Sequence, residues 1–190
     1  MHLEEHEKQS LLSIALDTIR HSLMSRDYSP VVDTDCAIFH SPLATFVTLR
    51  QNGTLRGCIG SLQASRPLVQ DISYNAYAAA FRDPRFPAIT LSDLDDLEIS
   101  ISLLGPQEEI RILSETDLAA KLERNIDGLV LEEINGMTAT FLPAVWESLP
   151  EPEDFIRQLK LKAGLHERYW SETLRFFRYR TYTFSNRHTA

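Results

Sequence analysis

The chain is poor in the residues that most often announce a chemistry. It has two cysteines, Cys36 and Cys58, too few for a disulfide framework and not arranged as a C-x-x-C pair. A reducing, cytoplasmic setting is therefore expected. No apolar run approaches the ~20 residues that span a bilayer. The opening Met1-His2-Leu3-Glu4-Glu5-His6-Glu7 is polar and acidic, unlike a signal peptide. Positive charge is also short. Lys and Arg number 19 against 27 Asp and Glu, a net charge of −8. That balance speaks against nucleic acid and anionic membranes as partners, because both are bound largely through cations on phosphate. Arg175, Arg178, Arg180 and Arg187 cluster near the C-terminus and read as a solvated face that balances the acidic remainder.

The six histidines offer no metal site. His2, His6 and His188 lie near the ends, and His21, His40 and His166 have no partner at ligand spacing. His166-Glu167 fails the H-E-x-x-H pattern because position 170 is Trp. The sequence has no G-x-S-x-G, no Walker A loop and no G-x-G-x-x-G after a strand. No metal and no cofactor is expected. What remains is 43% hydrophobic and 24% charged, the composition of a soluble globular protein. The length suffices for one large domain or two small lobes with substantial cores.

Hydrophobic period gives the elements. Residues 5–25 carry Leu12, Ala15, Leu16, Ile19 and Leu23 at helical spacing, and the helix should stop before Tyr28-Ser29-Pro30. An extended connection to Pro42 follows, with Ala37-Ile38-Phe39 tucked into the core. Two β-rich runs flank Asn52-Gly53, a type I′ hairpin signal. Pro67 opens a second helix with Leu68, Ile72, Ala76 and Ala79 inward, and Ala78-Ala79-Ala80 permits close approach of another element. Asp83-Pro84 ends it, and Pro84 and Pro87 stiffen the loop beyond. Glu98–Leu104 alternates as a half-buried strand, closed by Gly105-Pro106. Ser114 caps a short helix. Asn135-Gly136 makes a second hairpin of the same turn chemistry. A last helix starts near Pro152 and stops at Gly164. Trp146 and Trp170, with Phe141, Tyr169 and Phe177, are read as core. Residues 176–184 supply at least one closing strand. Mixed order and tight hairpins argue for an α+β fold with a largely antiparallel sheet and flanking helices.

The chemistry concentrates in Leu55-Arg56-Gly57-Cys58-Ile59-Gly60. Strand alternation puts Arg56, Cys58 and Gly60 on one face and Leu55, Gly57 and Ile59 on the other. Arg56 and Cys58 would then lie about 7 Å apart along the strand. Positive charge beside a thiol stabilises the thiolate, and glycines let a ligand or another backbone come close. Cys58 is thus a candidate nucleophile. The alternative is a small buried hydrophobe, with Gly57 and Gly60 required by packing. Asp83 is a candidate base or orienting group, or else a structural partner of an arginine. Two guanidinium groups suit a small carboxylate or phosphate. A Cys58–His40 pair is a further conceivable arrangement.

The run LRGCIG, together with Ala78-Ala79-Ala80-Phe81-Arg82-Asp83-Pro84-Arg85-Phe86-Pro87, Thr140-Phe141-Leu142-Pro143 with Trp146, and Leu161-Lys162-Ala163-Gly164-Leu165, resembles the AMMECR family, whose microbial members are called AmmeMemoRadiSam system protein A. The resemblance spans about residues 10 to 186 and carries no established activity with it. It implies a two-lobed α+β fold. A smaller inner lobe is expected at about 93–146, with residues 1–92 and 147–190 forming the larger one. It also implies that Arg56, Asp83 and Arg85 gather near one cleft, with Arg56, Gly57, Gly60 and Arg85 binding a small anionic ligand. Memo-type and radical-SAM proteins are the partners it implies. Two functions stand open: a ligand-modifying enzyme acting through Cys58, with Asp83 assisting, and a non-catalytic accessory protein whose signature strand is a recognition groove.

Overall fold

The computed structural model describes residues 3–24 and 36–186. The expected helix stop before Tyr28-Ser29-Pro30, and His2, Arg187 and His188, lie outside them. The described chain is α+β, with two four-stranded sheets and flanking helices.

The first compact unit comprises the described residues up to Leu104 together with those from Tyr182. Helix α1, Glu5–Met24, buries Leu11, Leu12, Ala15 and Ile19. The segment Ala37–His40 is a short helix, α2, with Phe39 buried. An extended connection was expected there, but backbone bonds from Phe39 to Cys36 and from Ser41 to Ile38 close a helical turn. Strands β1, Thr45–Gln51, and β2, Thr54–Gly60, pair antiparallel. Asn52 and Gly53 join them at φ +51° and +77°, the two positive φ angles that a type I′ turn needs. Helix α3, Leu68–Phe81, follows, and β3, Leu97–Leu104, pairs antiparallel with β1. The sheet order is β2-β1-β3-β8, where β8 is Thr181–Ser185. Helix α3 lies on β1 and β2 and also packs against α1. Gly57 allows this closeness: a Cβ there would stand 2.1 Å from the Ala79 carbonyl oxygen.

The second unit is 105–181. Its sheet runs β4-β7-β5-β6, with β4 Glu108–Glu109, β5 Gly128–Glu132, β6 Thr138–Phe141 and β7 Arg175–Tyr179. Helices α4, Glu115–Lys121, and α5, Pro152–Lys162, accompany it. Ser114 caps α4 through its side chain, as expected. Gly164 at φ +80° ends α5, also as expected. In the second hairpin, of the Asn135-Gly136 pair Gly136 alone takes positive φ, +87°. Gly136 N–H donates to Glu133 O and Glu133 N–H to Met137 O. The turn is therefore a three-residue loop with a left-handed glycine, not a repeat of the first. Trp146 is buried and stacks on Phe155 at 3.9 Å between ring centroids. Trp170, expected in the core, is 39% exposed and covers Phe176 from outside.

The unit boundaries differ from the expected 93–146. Strand β3 is hydrogen-bonded to β1, so residues 97–104 belong with the first sheet. Helix α5 and β7 share the second unit's apolar core, through Phe155, Leu159 and Phe176. No helix among the described residues is long and apolar enough to cross a membrane.

Candidate functional site

Strand β2 is an edge strand. An edge strand leaves backbone groups without a ladder partner, and native proteins cover or blunt such edges. Here two side chains from the loop after α3 provide the cover. Asp83 Oδ2 accepts the Cys58 N–H at 2.9 Å, and Arg85 Nη2 donates to the Cys58 carbonyl at 3.2 Å. The two side chains lock each other. Arg85 Nε donates to Asp83 Oδ1 at 2.9 Å and Nη2 to Oδ2 at 2.6 Å, and the Arg85 N–H adds a bond at 3.2 Å. Asp83 lies just past Arg82, the C-cap of α3, and is 5% exposed. The Arg85 bonds are the chief reason that its carboxyl is lowered to about 2, and the backbone bond from Cys58 contributes. A carboxylate so engaged holds other groups in place and is a poor proton acceptor near neutral pH. Asp83 therefore has the geometry of the positioning partner weighed in the sequence, not that of a base.

The Cys58 side chain is half-buried, so it is neither sealed under the sheet nor fully exposed. Its Sγ lies 3.3 Å from Thr48 Oγ1 on β1. The Arg85 guanidinium is basic beyond its usual range, first through its hydrogen bond to Asp83, with smaller electrostatic support from Asp83 and from Cys58. The cation bonded to Cys58 is therefore Arg85, through the backbone carbonyl. Arg56 is differently placed. The β1–β2 register runs Leu49↔Gly57 and then Arg50↔Leu55, which leaves Arg56 as the extra residue of a β-bulge. Its Nη2 lies 3.6 Å from Asp93, a residue already held by Thr90 and Gln51. The expected simple alternation from Arg56 to Cys58 is interrupted there. The structure thus brings Cys58, Asp83 and Arg85 together and gives Arg56 a separate carboxylate.

The glycines meet protein atoms. Gly57 faces the Ala79 carbonyl, and a Cβ at Gly60 would stand 2.2 Å from the Phe46 ring. Their closeness serves packing, the alternative that the sequence left open. His40 is exposed at the end of α2.

A second polar group was not anticipated. Asp71, fully buried on α3, accepts from the Thr45 N–H and hydroxyl, Asn75 Nδ2, Ser61 Oγ and both Nε and Nη2 of Arg66. It ties the start of β1 and the residue after β2 to α3. The signal was present in the sequence: Asp71 and Asn75 are one helical turn apart on the face that carries Ile72, Ala76 and Ala79. Among the described residues no cluster of His, Cys, Asp and Glu is arranged to hold a metal ion.

A family model described as AMMECR1 matches residues 12–184. A protein of Methanothermobacter thermautotrophicus is 32% identical over 168 residues, covering 86% of this chain and 85% of its own. One of Thermotoga maritima is 34% identical, covering 80% and 85%. The crystal structure of the uncharacterised protein PH0010 from Pyrococcus horikoshii superposes with a TM-score of 0.83 at 29% identity, covering 92% of this chain and 89% of that one.

Proposed function

The chain belongs to the AMMECR1 family, and on that premise we propose that the Cys58 strand with the Asp83–Arg85 clamp is a thiol-containing site for a small anionic ligand. The observation that carries this reading is the position of Arg85. Its side chain is 55% exposed, yet it is anchored to the backbone of the same residue whose thiol is half-buried beside it. A guanidinium fixed in this way attracts an anion and stabilises a thiolate at once. Thr48 Oγ1 is in reach to donate to that thiolate. Asp83 is the positioning residue that aims Arg85, and Gly57 and Gly60 shape the strand through packing. Arg56 lies at the rim, held by Asp93.

The test compares alkylation of Cys58 by iodoacetate and by iodoacetamide in a Cys36→Ser background. An anion-attracting site favours the charged reagent relative to a small thiol standard, by about tenfold for 1.4 kcal/mol of attraction. Arg85→Ala erases that preference. Equal selectivity with and without Arg85 contradicts the reading.

A second reading is favoured by the saturation of Asp83 and by the filled space around the glycines. In it the strand is a rigid recognition edge of an accessory protein that works beside Memo-type and radical-SAM proteins, with no chemistry of its own. Co-elution of the purified chain with a Memo-type protein, lost on Arg85→Ala while the alkylation selectivity is absent, selects this reading.

A further inference from the structure

The second unit carries a cavity of about 330 Å³ whose wall includes Gly105, Glu108, Asp127, Arg178, Tyr179 and Arg180. All lie within 105–181, and none belongs to the Cys58 site. The volume is at the small end for small-molecule pockets.

Asp127 is the unusual residue. It precedes β5 and is fully buried. Its Oδ2 accepts the Glu123 N–H at 2.9 Å, and its backbone carbonyl accepts Trp146 Nε1–H at 2.7 Å. The side chain is therefore fixed through Oδ2 and the backbone through its carbonyl. Its Oδ1 is buried and accepts no hydrogen bond. Arg180 Nε stands 3.9 Å away, beyond hydrogen-bonding distance. Buried carboxylate oxygens are almost always satisfied, so this one retains capacity for a donor.

Two guanidinium groups flank it. Arg180 Nη2 lies 3.2 Å from both carboxylate oxygens of Glu123. Arg178 reaches Glu108 at 3.3 Å through Nε and Nη2. These are long contacts between solvent-exposed groups, and such pairs hold little energy. Either arginine re-aims toward an incoming anion at small cost. A bidentate contact takes a pair of oxygens for each fork, and the three terminal oxygens of a phosphate supply two such pairs through a shared oxygen, whereas a carboxylate has one pair. We propose that this cavity binds a small hydroxylated phosphate monoester, with the phosphate held between Arg178 and Arg180 and the hydroxyl donating to Asp127 Oδ1. Glu108 and Glu123 compete for the same guanidinium groups, which keeps the affinity modest.

The test titrates the intact chain with glycerol 3-phosphate and, in parallel, with n-propyl phosphate, which lacks the hydroxyls. Binding is read from backbone amide shifts. Glycerol 3-phosphate should bind saturably and about tenfold more tightly than propyl phosphate, with shifts centred on Glu108, Asp127 and Arg178–Arg180. The Arg178→Ala, Arg180→Ala double variant should lose both ligands, since exposed arginines are dispensable for folding. Asp127→Asn should keep propyl phosphate and lose the preference. Should that buried substitution prevent folding, the two-ligand comparison on the unaltered chain asks the same question. No saturable shift up to roughly 10 mM, equal affinity for the two esters, or binding that survives loss of both arginines overturns the proposal.

Discussion

At the scale of single residues, Asp83 carries the most consequence per atom. Its carboxyl is lowered to about 2 in the folded chain, chiefly by Arg85, against an ordinary value near 3.8. A depressed folded value gives stability that is complete above the unfolded value and disappears as pH falls through the folded one. The difference corresponds to about 2 kcal/mol. Asp83→Asn should therefore lower the urea midpoint at pH 6, with the gap to the parent chain narrowing below roughly pH 4 and closing near pH 2. A gap that stays constant across that range would mean that the ion pair contributes nothing through ionisation. Gly57 makes a second residue-level case. Its missing Cβ would meet the Ala79 carbonyl at 2.1 Å, a fixed backbone atom. Gly57→Ala should cost on the order of 3 kcal/mol by forcing β2 from α3. At Gly53, where the nearest surroundings are open but φ is +77°, alanine should cost only about 1 kcal/mol. Chemical denaturation of both variants checks the ranking. The clamp was partly legible in the sequence, because Asp83 and Arg85 stand out in the loop. Which arginine reaches Cys58 was not, since that depends on a contact between segments 27 positions apart.

At the scale of elements, the bulge in β2 explains that miss. Counting back from the Asn52-Gly53 turn, uninterrupted pairing sets Thr48 opposite Gly57. The extra residue at Arg56 advances the register so that Thr48 pairs with Cys58. A one-residue shift exchanges the faces of everything beyond it, and nothing in the local run LRGCIG announces it. The helices were more legible, because period and caps are local signals. Ser114 caps α4 and Gly164 closes α5, while Lys160 inside α5 shows what periodicity conceals. Lys160 is fully buried and pairs with Glu115 of α4 at 2.7 Å. Removing one partner strands a buried charge, so Glu115→Ala should cost on the order of 3 kcal/mol. Adding Lys160→Met to Glu115→Ala should recover most of it. A four-cornered denaturation cycle measures the coupling, and additive losses would refute it.

At the scale of the whole molecule, the composition foretold a globular chain with room for two cores, and the structure has two, one around α1, α3 and β1–β3 and one around α5, β5 and β7. The boundary lay beyond a sequence reading because β7 and β8 follow each other in one aromatic run yet enter different sheets. Within the second unit, the Gly105 N–H donates to Arg180 O at 2.8 Å, so the two ends of that segment meet. An isolated 105–181 fragment should fold and give dispersed amide spectra, whereas collapsed, undispersed spectra would show that its core needs the rest of the chain. The proposed role of Cys58 is that of a thiol in a site built to use it, and the rate of Cys58 alkylation against pH in the intact Cys36→Ser chain puts that role to the test. The expected result is an apparent pKa below the ~8.5 of a free thiol, which rises toward that value in Arg85→Ala. No reaction before unfolding, or a pKa that ignores Arg85, would contradict it and leave the strand as a structural edge.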